Sequence, residues 1–384
     1  MVVQSTLWLA LSYFTYFFSY GIFLPFWSLW LEGVGLPPET IGMLLGAGLV
    51  ARFLGSLLLA PRVTNPFRLV FALRMLALLS LVFMVAFWLG QTSAWLLIVM
   101  IGFNLFFSPL VPLTDALAGT WQRQFPLDYG RVRLWGSLAF VIGSAVTGKL
   151  VSEFSYQAIL VLMSVGVASM LIGMMFRPSI MPEGKIARQD TVGWSAWKSL
   201  IVGDWRFLAC VTLLQGAHAA YYAFSAIYWQ EAGYSASVVG YLWSLSVVAE
   251  IVIFALSNRL FRRWGTRDLL LLSGITGIIR WGLMASSTEL SWLIVSQIMH
   301  CGSFTVCHLA AMRYISARHG HEVIRLQAMY SAVAMGGGIA IMTMFSGYLY
   351  QHIQGGMVWV MALVAVPALF LRPKVTAKVS FGEG

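Results

Sequence analysis

Long apolar runs separated by short polar clusters dominate the chain. Runs near the roughly 20 residues needed to cross about 30 Å of hydrocarbon fall at 6–31, 38–60, 69–90, 93–120, 132–153, 156–176, 207–230, 237–258, 268–287, 290–315, 326–350 and 356–372. They predict twelve transmembrane helices, the fifth and sixth parted only by a tight turn near Ser155. No charge occurs in the first 31 residues. The run from Thr6 to Leu31 lacks the basic region and short apolar core of a cleavable signal peptide, so it is read as the first span. The long polar connection "RPSIMPEGKIARQDTVGWSAWKSLIVGDWR", Arg177 to Arg206, divides the spans six and six. The predicted organisation is a six-helix bundle over 1–177, a cytoplasmic linker over 178–205, and a second six-helix bundle with a short tail over 206–384. Trp194 and Trp197 suggest that part of the linker lies on the membrane surface.

Composition agrees. Of 384 residues, 59% are hydrophobic and 10% charged, with a mean hydropathy of +0.81, too apolar for a soluble core with a polar surface. The fold class is therefore an all-α membrane protein. Lys and Arg follow alternate connections: only Lys149 falls on the opposite side, while Arg52, Arg74 and Arg280 lie inside spans. Cytoplasmic loops collect basic residues, so both termini are expected in the cytoplasm. This sidedness accounts for the formal charge of +10, and nucleic acid is not an expected partner. Cys210, Cys301 and Cys307 fall within spans, without metal-ligand spacing or a disulfide pattern.

The halves resemble each other at a fixed offset. "GLPPETIGMLL" from Gly35 matches "GYSASVVGYLW" from Gly233, 198 residues on, and the same offset carries Gly42 onto Gly240 and Arg52 onto Glu250. Equivalent positions thus hold opposite charges. Gly42, Gly46 and Gly336 to Gly338 permit close helix contact or bending, and Pro25 and Pro112 are expected kink positions.

An ionisable group at membrane depth costs several kcal/mol and therefore faces a cavity or a partner. Those groups are Arg52, Arg74, Asp115, Glu250, Arg280, His218, His300 and His308. At 1.5 Å per residue, Asp115 in span four and Arg133 in span five reach similar depth on adjacent antiparallel helices. The pair reads either as a hairpin salt bridge or as part of the substrate path. Arg131 is nearer water, lipid phosphate or Asp128. Glu250 and Arg280 form a second such hairpin; if the arginine moves, the carboxylate's proton affinity changes, as a coupling site requires, and a static ion pair is the alternative. His300 and His308, eight apart, fall near one helix face, suited to a proton relay or a substrate hydrogen bond; like His218, each is otherwise a buried ring bonded to a backbone carbonyl. Arg52 and Arg74 have no carboxylate at membrane depth on their own helices, Glu39 standing at the mouth of span two, which favours an anionic ligand, although Arg74 is placed to snorkel. Aromatic residues crowd spans one and seven, including Tyr20, Tyr221 and Tyr222. Beside arginines they suit a small arylalkanoate. No nucleophile–base constellation, cofactor motif or metal-ligand set is visible, so neither an enzyme nor a cofactor is expected.

Parallel six-span repeats joined by a long cytoplasmic linker resemble the major facilitator superfamily, whose substrate site lies near the midplane. "PLTDAL" followed by "YGRVRLWGS" resembles the lactose-permease family of proton symporters, which implies substrate roles for Asp115 and Arg133. Acid in span eight, arginine in span nine and histidine in span ten follow that family's coupling arrangement, implying Glu250, Arg280 and His300 or His308. No carboxylate lies between Leu290 and Ile315, which puts more weight on Glu250. The superfamily's loop motif is degenerate in "APRVTNPFR" and keeps only basic character in "SNRLFRRWG".

Over nearly its full length, including "YFTYFFSYGIFLPFWS", "GFNLFFSPLVPLTDAL" and "LLQGAHAAYYAFSAIYW", the chain is similar to the phenylpropionate permease family. That resemblance implies proton-coupled uptake of 3-phenylpropionate or a related aromatic carboxylate across a bacterial inner membrane, by a protein expected to function as a monomer. Arg52 or Arg133 would hold the carboxylate, Tyr20, Tyr221, Tyr222 and His218 would line the site, and Glu250 with Arg280 would carry the proton. A symporter for a neutral oligosaccharide or nucleoside is the alternative. A non-transporting membrane sensor is a more distant one.

Overall fold

The computed structural model describes residues 1–184, 194–318 and 321–373. Its helices are α1 (Ser5–Gly33), α2 (Pro38–Leu58), α3 (Leu69–Ala86), α4 (Ser93–Phe107), α5 (Leu110–Gln122), α6 (Tyr129–Glu153), α7 (Gln157–Met175), α8 (Trp194–Gly216), α9 (Ala219–Glu231), α10 (Ala236–Leu260), α11 (Thr266–Ser286), α12 (Leu290–Ile298), α13 (Val306–Ser316), α14 (His321–Met329), α15 (Ile339–Ile353) and α16 (Met357–Leu371). A short parallel pair, β1 (Val2–Val3) with β2 (Arg177–Pro178), joins the N-terminus to the segment after α7. The interfacial reading of Trp194 and Trp197 rests on side chains outside the described residues.

Among the described residues, eleven helical stretches are long and apolar enough to cross a membrane. The protein is a multi-pass membrane protein. The last stretch, Arg325–Leu371, is 47 residues long and contains the turn Gln354–Gly356, where Gln354 adopts φ 44°. The stretch takes in both of the last two predicted runs except for the final residue, Arg372.

Several membrane stretches are broken where the sequence gives uneven warning. The predicted kink at Pro112 does not interrupt its helix; α4 and α5 part at Ser108–Pro109, where the Ser108 hydroxyl meets that of Ser56 at 2.6 Å. Pro25 sits inside the continuous α1. Between α8 and α9 the break falls at Ala217–His218 without any proline. Two segments widen to π-helix, Cys301–Thr305 between α12 and α13 and Tyr330–Gly338 between α14 and α15. The glycines Gly336 to Gly338 thus close a π segment.

The ends of α1 and α9 carry the same turn. Gly35 and Gly233 both adopt positive φ, 97° and 95°, which only glycine takes without strain. Leu36 N–H donates to Leu31 O at 3.3 Å and Tyr234 N–H to Trp229 O at 3.0 Å, closing two Schellman-type caps.

Two compact units result: residues 1–189 with 225–244, and residues 190–224 with 245–384. Glycines explain why the start of α10 belongs to the first unit. Cβ atoms at Gly148 and Gly240 would come within 2.4 Å of Ala236 O and 2.5 Å of Ser144 O, so backbones approach there as small residues allow.

Candidate functional site

In the first unit, Tyr13, Tyr16, Phe17 and Tyr20 follow the i, i+3, i+4, i+7 spacing that puts them on one face of α1. The Tyr13 hydroxyl donates to Asp115 Oδ1 on α5 at 2.5 Å, and the Tyr129 hydroxyl at the start of α6 donates to the same oxygen at 3.1 Å. Two phenols therefore converge on one oxygen of the carboxylate. Arg133, one turn further along α6, lies over the rings of Phe17 and Tyr13, its guanidinium carbon 4.2 and 5.2 Å from their centroids. The expected Asp115–Arg133 ion pair does not form: phenol hydroxyls occupy the acid, and the cation rests on ring faces. Gly136 makes room for this, since a Cβ there would come 2.7 Å from Phe17 and 2.8 Å from Arg133 Nη1.

Arg52 on α2 is held the same way. Its guanidinium carbon lies 4.3 Å from the Tyr20 ring centroid, and Nη2 donates to Tyr16 OH at 3.3 Å. Neither Arg52 nor Arg133 forms an ion pair among the described residues. Ring faces offset part of the desolvation of a guanidinium, roughly 0.5–2 kcal/mol each, without neutralising it. This cluster of two cations and one acid can take up an anion.

Arg74 plays another part. It donates to the carbonyls of Met174, Met175 and Phe176 at 2.8, 3.4 and 3.0 Å, capping the C-terminus of α7. The unpaired acceptors of a helix end, rather than a ligand anion, satisfy this arginine. Arg131 pairs at the surface with Asp128 at 3.1 Å, while Asp128 also caps α6 by accepting from the Arg131 N–H.

In the second unit, the side chains expected for proton coupling meet through a histidine. Glu250 Oε1 on α10 lies 2.8 Å from His300 Nε2, and Arg280 Nη1 on α11 lies 2.7 Å from His300 Nδ1. The expected direct Glu250–Arg280 contact is replaced by this bridge. Arg280 is fully buried, between the rings of Tyr221 and Trp281 at 4.5 and 4.3 Å, and also donates to Ser296 O at 2.8 Å and Ser303 Oγ at 3.2 Å. A guanidinium only donates, so His300 Nδ1 accepts, and the ring hydrogen sits on Nε2 facing Glu250. A second proton on His300 would set N–H against N–H. The ring can be protonated only after leaving Arg280.

His218 and His308 occupy different surroundings. At the break between α8 and α9, His218 Nδ1 donates to Leu214 O at 2.9 Å, satisfying a carbonyl near the break. Its Nε2 accepts from Ser303 Oγ at 3.1 Å. The Tyr222 ring stacks on His218 at 5.8 Å, and Tyr221 OH donates to Gln297 Oε1 at 2.8 Å. His308 Nδ1 lies 3.1 Å from Tyr330 OH. A single-face arrangement of His300 and His308 assumes an unbroken α-helix, whereas the π segment Cys301–Thr305 intervenes and alters the helical phase.

The residues that sequence reasoning did not single out are the neutral ones: Phe17, Tyr129, Gln297, Ser303 and Tyr330. The i+4 relation of Phe17 to Tyr13 was an available signal. Tyr129 opens the motif "YGRVRLWGS", whose arginines carry the stronger signal, and nothing in the sequence marks Ser303. Among the described residues, no group of three or more His, Cys, Asp or Glu side chains is arranged to hold a metal ion.

A model of the MFS_1 like family matches residues 6–361. The chain is 73% identical over 375 residues, 98% of its length and 99% of the relative's, to the probable 3-phenylpropionic acid transporter of Escherichia coli (strain K12). It is 26% identical over 377 residues to the maltose permease of Geobacillus stearothermophilus, covering 95% and 93% of the two chains. Among solved structures, the nucleoside transporter NupG superposes with a TM-score of 0.81 at 15% identity, over 96% of this chain and 98% of that one, a likeness of fold.

Proposed function

The chain belongs to the MFS_1 like family, and on that premise we propose that it is a proton-coupled carrier that imports 3-phenylpropionate or a related aromatic carboxylate by alternating access. The observation that carries this reading is the pair of arginines, Arg52 and Arg133, each resting on tyrosine or phenylalanine rings and neither ion-paired among the described residues. A carboxylate supplies the missing charge, and the aromatic face of α1 supplies a surface for a ring. Identity of 73% to the Escherichia coli protein named for 3-phenylpropionic acid selects the substrate from among such anions. Tyr20 joins the substrate site in this reading, and in the second unit Tyr221, Tyr222 and His218 pack around His300.

Proton coupling is assigned to Glu250, with His300 as its immediate partner, Arg280 as the group that keeps His300 neutral, and His308 with Tyr330 as a neighbouring polar pair. The membrane architecture proposed is twelve spans, counting Arg325–Leu371 as two across its turn, in repeats over 1–177 and 206–384 joined by the linker 178–205. The matching turns at Gly35 and Gly233 support the repeat. The concentration of Arg and Lys at alternate connections supports cytoplasmic termini, in a bacterial inner membrane. A monomer with its surrounding lipid suffices for this mechanism.

The test is uptake of labelled 3-phenylpropionate into proteoliposomes under an imposed inward proton gradient, compared with protein-free liposomes because the neutral acid diffuses. Protein-dependent accumulation that an uncoupler abolishes supports the reading. Absence of uptake by demonstrably folded protein removes it. In that case the neutral-solute reading, favoured by the Asp115 carboxylate as an acceptor for sugar or nucleoside hydroxyls, takes its place and is tested by uptake of maltose and uridine in the same vesicles.

A further inference from the structure

An open groove of ≈ 470 Å³ lies where the loop before α11 meets its first turns, lined by Arg263, Trp264, Asp268, Leu271, Leu272 and Ile275. The loop is firmly held. Arg313 Nη1 donates to the carbonyls of Phe261 and Trp264, each at 2.9 Å, and the Trp264 ring packs edge-on against Phe261 at 5.9 Å. Trp264 nevertheless keeps 42% of its surface exposed, and Arg263 is exposed without an ion pair among the described residues. Asp268 is engaged in capping, its Oδ2 accepting from Gly265 N–H at 3.3 Å.

The groove changes character along the helix. Leu271, Leu272 and Ile275 follow Asp268 at i+3, i+4 and i+7, and Ile279 continues the same face. Ile275 and Ile279 are 43% and 49% exposed, on a helix long and apolar enough to cross the membrane. An apolar lane that starts beside an indole and a guanidinium, at the end of a membrane helix, has the polarity profile of a lipid: charged head, interfacial middle, hydrocarbon tail. The loop decides the sign of the head. Residues 259–268 contain Arg259, Arg262, Arg263 and Arg267 against the single acid Asp268, so the local field favours a net negative headgroup over a zwitterion.

We propose that this groove binds an anionic glycerophospholipid, with the phosphate at Arg263, the glycerol region on the Trp264 ring and an acyl chain along Leu271, Ile275 and Ile279. Neither the transported substrate nor the coupling residues take part, so the site stands or falls apart from the transport reading.

The test is native mass spectrometry of the purified, delipidated full-length protein titrated with phosphatidylglycerol or with phosphatidylcholine. The expected result is a saturable one-to-one adduct with phosphatidylglycerol that phosphatidylcholine does not match. Arg263→Gln weakens it about five-fold, equivalent to the ~1 kcal/mol that one basic residue contributes at an anionic surface. Ile275→Trp removes the adduct by filling the lane without altering charge. Arg62→Gln, which takes the same charge from an exposed position in the other compact unit, leaves it unchanged. Equal binding of the two lipids, equal losses in Arg263→Gln and Arg62→Gln, an Ile275→Trp adduct as strong as wild type, or displacement by inorganic phosphate would each overturn the proposal. Thermal unfolding of each variant, run in parallel, restricts the comparison to folded protein.

Discussion

His300 Nε2 and Glu250 Oε1 lie 2.8 Å apart with the histidine 4% and the glutamate 17% exposed. Because Arg280 donates to the other ring nitrogen, this contact is a neutral N–H directed at a carboxyl oxygen. A proton arriving at Glu250 can therefore be held there without His300 changing state. A proton arriving at His300 must first displace Arg280. In the proposed coupling role, the acid is therefore the easier store.

The first prediction follows from that asymmetry. Glu250→Gln keeps an oxygen for the His300 N–H and removes the exchangeable proton, so folding is preserved while uphill accumulation falls to the protein-independent level. Exchange of labelled for unlabelled substrate needs no net proton movement and should continue. Uptake under a proton gradient and equilibrium exchange, measured on one preparation, separate the two; loss of both would assign Glu250 to substrate binding.

Arg280 yields a stability prediction. Arg280→Met empties the space between Tyr221 and Trp281 of its charge and leaves His300 Nδ1 without its donor. Removing one member of a buried charged network costs about 3–5 kcal/mol. Arg280→Met combined with His300→Phe should cost less than the sum of the single changes, because each removes what the other leaves unsatisfied. Denaturation midpoints in one detergent check this, and strict additivity would mean the two side chains do not act together.

How far these relationships were legible depends on what a sequence encodes. Charged residues are rare in apolar runs, so Arg52, Asp115, Glu250 and Arg280 stood out, and residue spacing placed the hairpin partners at similar depth. Depth is not direction. Which side of its helix Asp115 faces, and that Tyr13 and Tyr129 reach it before Arg133, depends on helix rotation that spacing along one chain does not fix. The π segment after His300 has no residue signature, and the break at Ala217–His218 lacks the proline that would announce it. Gly35 and Gly233 were legible only as a match between the halves at a fixed offset; that both sit at positive φ, where few residues fit, came from the backbone.

Arg133 should distinguish charge from shape. Arg133→Lys keeps the cation and loses the planar group that lies on Phe17 and presents paired donors to a carboxylate. Apparent affinity for 3-phenylpropionate should fall about tenfold, equivalent to about 1.4 kcal/mol, and Arg133→Met should abolish saturable uptake. Arg74→Lys, by contrast, should leave affinity unchanged, since Arg74 serves the end of α7. Concentration dependence of uptake decides the matter; an affinity loss in Arg74→Lys matching that in Arg133→Lys would undo the assignment.

The last prediction concerns the repeat. A Cβ at Gly35 or Gly233 meets nothing within 4 Å, so alanine at either position pays only for the left-handed backbone, roughly 1–2 kcal/mol. Asparagine, which tolerates that conformation better, should recover part of the loss at both sites. Because the two turns share backbone angle and hydrogen-bond pattern, Gly35→Ala and Gly233→Ala should destabilise equally. Gly240→Ala should be worse, since its Cβ would come 2.5 Å from Ser144 O and helix backbones would have to separate. Unfolding midpoints of the three alanine variants test the order. A harmless Gly240→Ala would show that α10 can shift away from α6 at little cost, whereas unequal turn variants would mean that the likeness of the halves stops at geometry.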